Sequence, residues 1–376
     1  MKKTQVNTNI NFVNNKQLFI KKIKANYFRN YKNLELNLSA SNIVLVGNNG
    51  VGKTNTLDAI YHLSMAKSYF SSINSDSISH DKNSSKIKGI YHLNAMSETI
   101  ECKLIKGKSK IFIRNGKKYK KFSDHIGLLP VVMISPSDID LINEGSANRR
   151  SFTDKLISQS DKTYLKTLVD YTRLISQRNS LLKKEISEKI IKSTLEIYDD
   201  KLSIFGTKIY NTRKKYLSSF RPYFIKRYIQ ISGNFEDVTI DYKSQLNCDL
   251  GFSELLKNSF GYDKKLMQSN VGVHRDDLIF KINGESMKRF ASQGQRKSFL
   301  VSLKLAQFDM IKNSLSVTPI LLLDDIFDKL DENRVKKIIN LVNESSFGQL
   351  FITDTHYERT KEVIKQTNQE FKIFKL

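Results

Sequence analysis

Of everything in the chain, the run Gly47-Asn48-Asn49-Gly50-Val51-Gly52-Lys53-Thr54 leaves the fewest folds open. It fits the spacing G-x-x-x-x-G-K-[ST], and its neighbours are those such a loop requires. Ile43-Val44-Leu45-Val46, just before it, is a short apolar, β-branched run and reads as a buried strand. Thr56-Leu57-Asp58-Ala59-Ile60-Tyr61-His62-Leu63, just after it, is apolar at helical spacing. Strand, glycine loop and helix in that order make a phosphate cradle. Backbone N–H groups and the positive end of the helix face the anion. Lys53 is placed to reach the β- and γ-phosphates and the Thr54 hydroxyl to sit on Mg²⁺, so ATP with Mg²⁺ is the expected ligand.

A chain of 376 residues suits two or three lobes, and 39% hydrophobic residues with 22 Phe and 16 Tyr supply a sizeable core. A net charge of +24 favours a polyanion such as nucleic acid, although a Lys- and Asn-rich composition makes any protein basic. Cys102 and Cys248 stand far apart, with no C-x-x-C for zinc, and free thiols suit a reducing cytosol. Residues 1–17 are polar, lack the apolar core of a signal peptide and read as a disordered leader. No apolar run approaches the ~20 residues of a membrane helix. The expectation is a cytoplasmic protein with no membrane partner.

Leu18 to Tyr27 and Asn33 to Leu38 read as two antiparallel strands leading into the loop strand. Ile87 to Leu93, Thr99 to Lys106 and Lys110 to Arg114 follow, and Asn115-Gly116 signals a hairpin. That hairpin is crowded with cations, among them Lys108, Lys110, Arg114, Lys117 and Lys118. It is either an ordinary solvated face or a surface for DNA. Val131-Val132-Met133-Ile134 is a further buried strand. From Ala147 to about Gly233 the period becomes helical, a lobe built around a long antiparallel pair. The fold class expected is α/β, a P-loop ATPase head with an inserted α-helical lobe. The head comprises 18–140 and 265–376, and the insertion 141–264.

Pro319 to Asp325 reads as a buried strand ending in two carboxylates, delivered to the carboxyl edge of a parallel sheet where ligands bind. Asp324 is expected on Mg²⁺, and Asp325 to orient or deprotonate the attacking water. Ser292-Gln293-Gly294-Gln295 opens a helix, with Ser as N-cap, and makes a second anion site. It resembles the S-G-G-Q signature of ATP-binding-cassette (ABC) and SMC-type ATPases, which contacts the γ-phosphate of ATP held by the other subunit. Asp331, in Asp328-Lys329-Leu330-Asp331, looks like the D-loop of that class, and His356 resembles its γ-phosphate-sensing histidine.

These segments together resemble the RecF family of bacterial recombination-repair ATPases. They are Asn26 to Tyr31, Gly47 to Asn55, Gly272-Val273-His274-Arg275-Asp276-Asp277-Leu278, Ser292 to Lys297, Leu321 to Asp331 and Thr353 to His356. Arg149-Arg150-Ser151-Phe152 looks like the family's paired-arginine segment, and both arginines are counted among the DNA contacts. The departures are a leader without counterpart, Val273 where Pro is expected, and Ser135-Pro136-Ser137 where a γ-phosphate-sensing glutamine would stand. The resemblance implies an SMC-like head without the long arm, an ATP-dependent homodimer and slow hydrolysis stimulated by DNA. It also implies binding to duplex, single-stranded or junction DNA, work with RecO and RecR in loading RecA on gapped DNA, and SOS induction. The alternatives are the ATPase module of a phage-defence (OLD-type) system or of a transporter-type system.

Overall fold

The structure, a computed structural model, describes residues 17–94, 96–185, 187–233, 236–325, 337, 348–365 and 371–376. The expected leader lies outside them but for Gln17, and the expected D-loop residue Asp331 lies outside them too.

The chain opens with an antiparallel pair, β1 (Leu18–Phe28) and β2 (Tyr31–Asn37), and enters β3 (Asn42–Val46), the strand expected ahead of the glycine loop. Helix α1 (Lys53–Met65) leaves the loop directly. Strands β4 (Ser84–Leu93), β5 (Met96–Ile105), β6 (Ile111–Arg114) and β7 (Lys117–Lys118) then complete a six-stranded sheet in the order β2-β1-β4-β5-β6-β7. Asn115 and Gly116 close the β6–β7 hairpin with φ of +48° and +80°, the backbone of a type I′ turn.

Strand β8 (Val131–Ile134) is followed by helices α2 (Asp140–Asn143), α3 (Ser146–Ser160), α4 (Lys162–Leu182) and α5 (Glu188–Ser232). Then come β9 (Val238–Lys243), α6 (Phe252–Leu266), β10 (Asp277–Ile282), β11 (Glu285–Ser286), α7 (Met287–Phe290) and α8 (Gln293–Leu315). Strands β12 (Ile320–Leu323), β13 (Leu350–Asp354) and β14 (Lys372–Lys375) finish the chain, with the helix Tyr357–Lys365 between the last two.

Five strands pair in parallel in the order β14-β3-β13-β12-β8. Alternate side chains of this sheet go to opposite cores. Val44, Val132, Ile134, Leu321 and Leu323 face a core shared with α5 and α8; Ile43, Leu45, Met133, Ile320 and Leu322 face a second, shared with α1 and the antiparallel sheet. Strands covered on both faces need continuous apolar runs, which is why these read so plainly in the sequence. Helix α1 lies between the two sheets, so Asp58 and His62 are buried along with Leu57 and Ile60.

Helix α5, with 45 residues, spans about 67 Å and forms the expected long pair with α4. Leu202 and Ile209 pack with Tyr171 and Leu256 of the helical region, whereas Leu217, Phe220, Phe224 and Tyr228 enter the core of the parallel sheet. The helix continues through Pro222, whose cost of about 3 kcal/mol is offset by the aromatic burial on either side of it. The expected division at 141 and 264 therefore runs through continuous packing. Phe152 and Leu156 of α3 also belong to the sheet's core.

Candidate nucleotide site

The loop after β3 is shaped by left-handed glycines. Gly50 has φ +83° and Gly52 +114°, and a Cβ on Gly52 would stand 2.6 Å from the Tyr31 ring. Gly52 caps α1 without a side-chain hydrogen bond, and no acid occupies the first turn. The first N–H groups of α1 are thus left for an anion, favoured by the helix dipole. Lys53 is buried and folds back over the loop, donating to the carbonyls of Gly47 at 2.8 Å and Asn48 at 3.0 Å.

The turn between β1 and β2 clamps this loop from outside, a role that sequence reading did not assign. Asn30 Nδ2 donates to Gly50 O at 3.0 Å and Tyr31 OH to Gly52 O at 3.0 Å. Tyr31 OH also meets Thr56 Oγ1 at 2.8 Å, and Asn55 Nδ2 donates to Asn30 Oδ1. One residue earlier, Arg29 pairs with the buried Asp58 of α1, which also accepts from Ser68.

Asp324 follows β12 at the carboxyl edge of the parallel sheet and is 4% exposed. Its Oδ1 accepts from Thr54 Oγ1 and from Thr353 Oγ1, each at 2.9 Å. Burial pushes the Asp324 carboxyl above its ordinary range, the hydrogen bonds from Thr353 and Thr54 oppose this, and the neighbouring Asp325 adds to it. A carboxylate so placed is stabilised by a cation. The donors that meet here, one carboxylate and one hydroxyl, are all oxygen and suit Mg²⁺, which keeps waters and substrate phosphates as its other ligands. No cluster of three His, Cys, Asp or Glu able to hold a metal occurs among the described residues. Asp325 turns the chain out of the strand with φ +42°, its N–H donating to Thr353 Oγ1 at 2.9 Å. Thr353 therefore ties both acids to β13, and nothing in its local sequence marks it for that.

Ser292 caps α8 as expected. Its Oγ accepts from Gln295 N at 3.2 Å, and Gln295 Oε1 accepts from Ser292 N at 2.6 Å, a reciprocal capping box. Gln293 lines a cavity of 310 Å³ together with Ser135, Asp324 and Asp325, and none of 47–54 lines it. His356 is exposed just beyond β13, its carbonyl accepting from Thr360 N.

Among the cations grouped as DNA contacts, Lys108, Lys117 and Lys118 are exposed, and four others serve the fold instead. Arg114 forms a two-pronged pair with Glu98 at 2.9 and 2.6 Å. Lys110 is half-buried over the Phe122 ring, and burial lowers its pKa. Arg149 forms a two-pronged pair with Asp277 at 2.7 and 3.0 Å, and Arg150 donates to the Asp276 carbonyl at 2.8 Å. Charge counting cannot see such partners. The paired arginines and the His274-Arg275-Asp276-Asp277 run are two sides of one joint.

The profile of the RecF/RecN/SMC N terminal domain family matches residues 19–375. The DNA replication and repair protein RecF of Flavobacterium johnsoniae is 46% identical over 360 residues, covering 96% of this chain and 100% of that one. The chain belongs to the RecF family. RecF of Parabacteroides distasonis is 41% identical, over 96% of this chain and 97% of its own. The solved structure of the recombination mediator protein RecF with ATP in the RecFOR pathway superposes with a TM-score of 0.82 at 32% identity, covering 91% of this chain and 94% of that one. The Pyrococcus furiosus Smc head, at 15% identity and a TM-score of 0.53 over 95% and 93% of the two chains, shares the fold. The chain thus has the ABC/SMC-type ATPase head expected, in a family of ATPases of DNA replication and repair, and the RecF reading prevails over the phage-defence and transporter alternatives. No described helix is long and apolar enough to cross a membrane.

Proposed function

We propose that this RecF-family chain is an ATP-dependent, DNA-binding switch of recombinational repair, a weak ATPase stimulated by DNA, whose two copies close on ATP. The contact between Thr54 and Asp324 carries the reading. Two oxygens 270 residues apart in sequence meet at 2.9 Å beside the phosphate loop. Thr54 and Asp324 would hold Mg²⁺, which when bound neutralises phosphate charge. Lys53 exchanges the carbonyls of Gly47 and Asn48 for the β- and γ-phosphates of ATP. Asp325 orients or deprotonates the attacking water. One methylene shorter than a Glu, it gives slow turnover suited to timing. His356 senses the γ-phosphate.

The signature Ser292 to Gln295 serves the ATP of the partner copy. In support, the cavity beside Gln293 is lined by the acids and by none of 47–54. A capped helix start is also an anion site. Hydrolysis removes the shared γ-phosphate charge and releases the dimer. A net charge of +24 and the exposed Lys108, Lys117 and Lys118 support a DNA surface on the hairpin. The relative's placement in the RecFOR pathway supports partnership with RecO and RecR in loading RecA. Sedimentation with ATP tests the switch: Lys53→Met is expected to lose both nucleotide and dimer, and Ser292→Arg to keep nucleotide without dimerising. Dimers of the Ser292→Arg protein would refute the composite site.

A further inference from the structure

The turn just ahead of the signature carries an aromatic ring that the fold leaves outside. Phe290 ends α7 and is 65% exposed, the most open phenylalanine among the described residues. Its neighbours are anchored. Met287 is fully buried and Ala291 is 5% exposed, both in the core shared with α5 and α8. Ala291 N donates to Met287 O, and Arg296 Nη2 donates to the Lys288 carbonyl at 2.9 Å. The ring is therefore held outward by a fixed turn.

Two residues on, Ser292 opens the capping box of α8, and both Ser292 and Gln293 are exposed. Lys288 and Arg289, on the other side of the ring, are exposed too, and no ion pair engages either among the described residues. Scattered surface rings are ordinary. This one is continuous with a helix start that takes an anion, and it is bordered by cations. Such a surface fits an occupant that brings both phosphate and apolar area. At a net charge of +24, a second copy repels these cations, and its bound ATP is what reverses the sign locally.

We propose that Phe290 is the apolar anchor of the ATP-closed dimer, packing against the nucleotide-bearing face of a second copy of this chain. This rests on the composite site proposed above and adds to it a residue outside the four signature positions. Two copies that each lend a signature to the other bury both rings at once. Aromatic anchors at the centre of an interface carry much of its energy. Burying one Phe side chain corresponds to about tenfold or more in an equilibrium constant, so two rings correspond to about a hundredfold. ATP then supplies the charge that lets the copies approach, and the rings supply the area that holds them.

The chain has no tryptophan, so Phe290→Trp places a single reporter at the site. With Mg²⁺ and a non-cleavable ATP analogue, its emission is expected to shift to the blue, and its quenching by acrylamide to fall, at the protein concentrations where sedimentation shows dimers. Adding Ser292→Arg should abolish the shift. Phe290→Ser should weaken the dimer about a hundredfold while its single copies bind the analogue and melt as the wild type does. Phe290→Leu should restore most of the dimer. Dimers with an unshifted Phe290→Trp, or Phe290→Ser dimers as tight as wild type, overturn the anchor and leave the composite site standing. Wild-type protein that stays single with the analogue overturns the composite site and the anchor with it. A blue shift that survives Ser292→Arg puts the ring against its own chain and overturns the anchor alone.

Discussion

Arg213 of α5 holds together the joint built by the His274-Arg275-Asp276-Asp277 run, and replacing it makes a quantitative prediction. Its side chain is 3% exposed. It donates to Asp276 Oδ2 at 2.9 Å, Asp154 Oδ1 at 2.8 Å, the Val273 carbonyl at 2.7 Å and Tyr164 OH at 3.0 Å. Asp276 is 1% exposed at the side chain; burial pushes its carboxyl up, and Arg213 opposes that shift. Arg213→Met keeps most of the aliphatic stem and removes the cation, leaving Asp276 buried with the hydroxyl of Tyr242. Stranding a buried carboxylate in this way costs about 3–5 kcal/mol. The stranded acid binds a proton in the folded state, so the deficit against wild type should shrink as pH falls from neutral toward ~5. Adding Asp276→Asn removes the stranded charge, and the double variant should lose much less stability than the sum of the two single losses. Urea unfolding followed by circular dichroism, run as a double-mutant cycle, measures all three. A loss below about 1 kcal/mol for Arg213→Met, or strict additivity in the cycle, would refute the reasoning.

Three further outcomes are expected. Gly52→Ala should abolish binding of a fluorescent ATP analogue while leaving the far-ultraviolet spectrum intact, because the new Cβ would stand 2.6 Å from the Tyr31 ring at φ +114°; wild-type affinity would contradict this. Burial foremost lowers His62 to about 3 and His125 and His274 to about 4. Their folded pKa values lie below the unfolded ~6.5, so the stability they allow is whole above that pH and is lost as pH falls toward ~4. Thermal melts flat across that window would exclude the three as buried neutral groups. Lys117→Gln with Lys118→Gln should reduce the slope of log K for DNA against log salt by about 2, whereas Arg114→Gln should lower stability and leave the slope unchanged. A salt slope that follows Arg114 instead would place the DNA contact elsewhere.

What could be read from the sequence is what contiguous residues encode. The loop from Gly47 to Thr54 needs its conformation and its charge within eight positions, and the structure has the strand and helix that the flanking residues announce. The runs at β8 and β12 announce buried strands for the same reason. Asn30 and Tyr31 were illegible as a clamp, because they reach Gly50 and Gly52 only once the antiparallel sheet has folded back over the loop. Local propensity also misleads at Pro222, where a helix break would be expected and the burial of Phe220 and Phe224 keeps α5 continuous. The cations make the deeper case. Lys117 and Arg114 look alike in a charge count, but Arg114 pairs with Glu98, two residues from its register partner Ile100 on the neighbouring strand, and Lys117 is exposed. Arg149 finds its carboxylate 128 residues away. Glu98, 6% exposed, would be stranded if Arg114 turned to a phosphate, and Arg149 is only 12% exposed in its pair with Asp277, so both arginines are weaker candidates for the proposed DNA surface. By that criterion the proposed DNA surface falls to exposed ammonium groups, as Lys117 and Lys118 at the hairpin tip are.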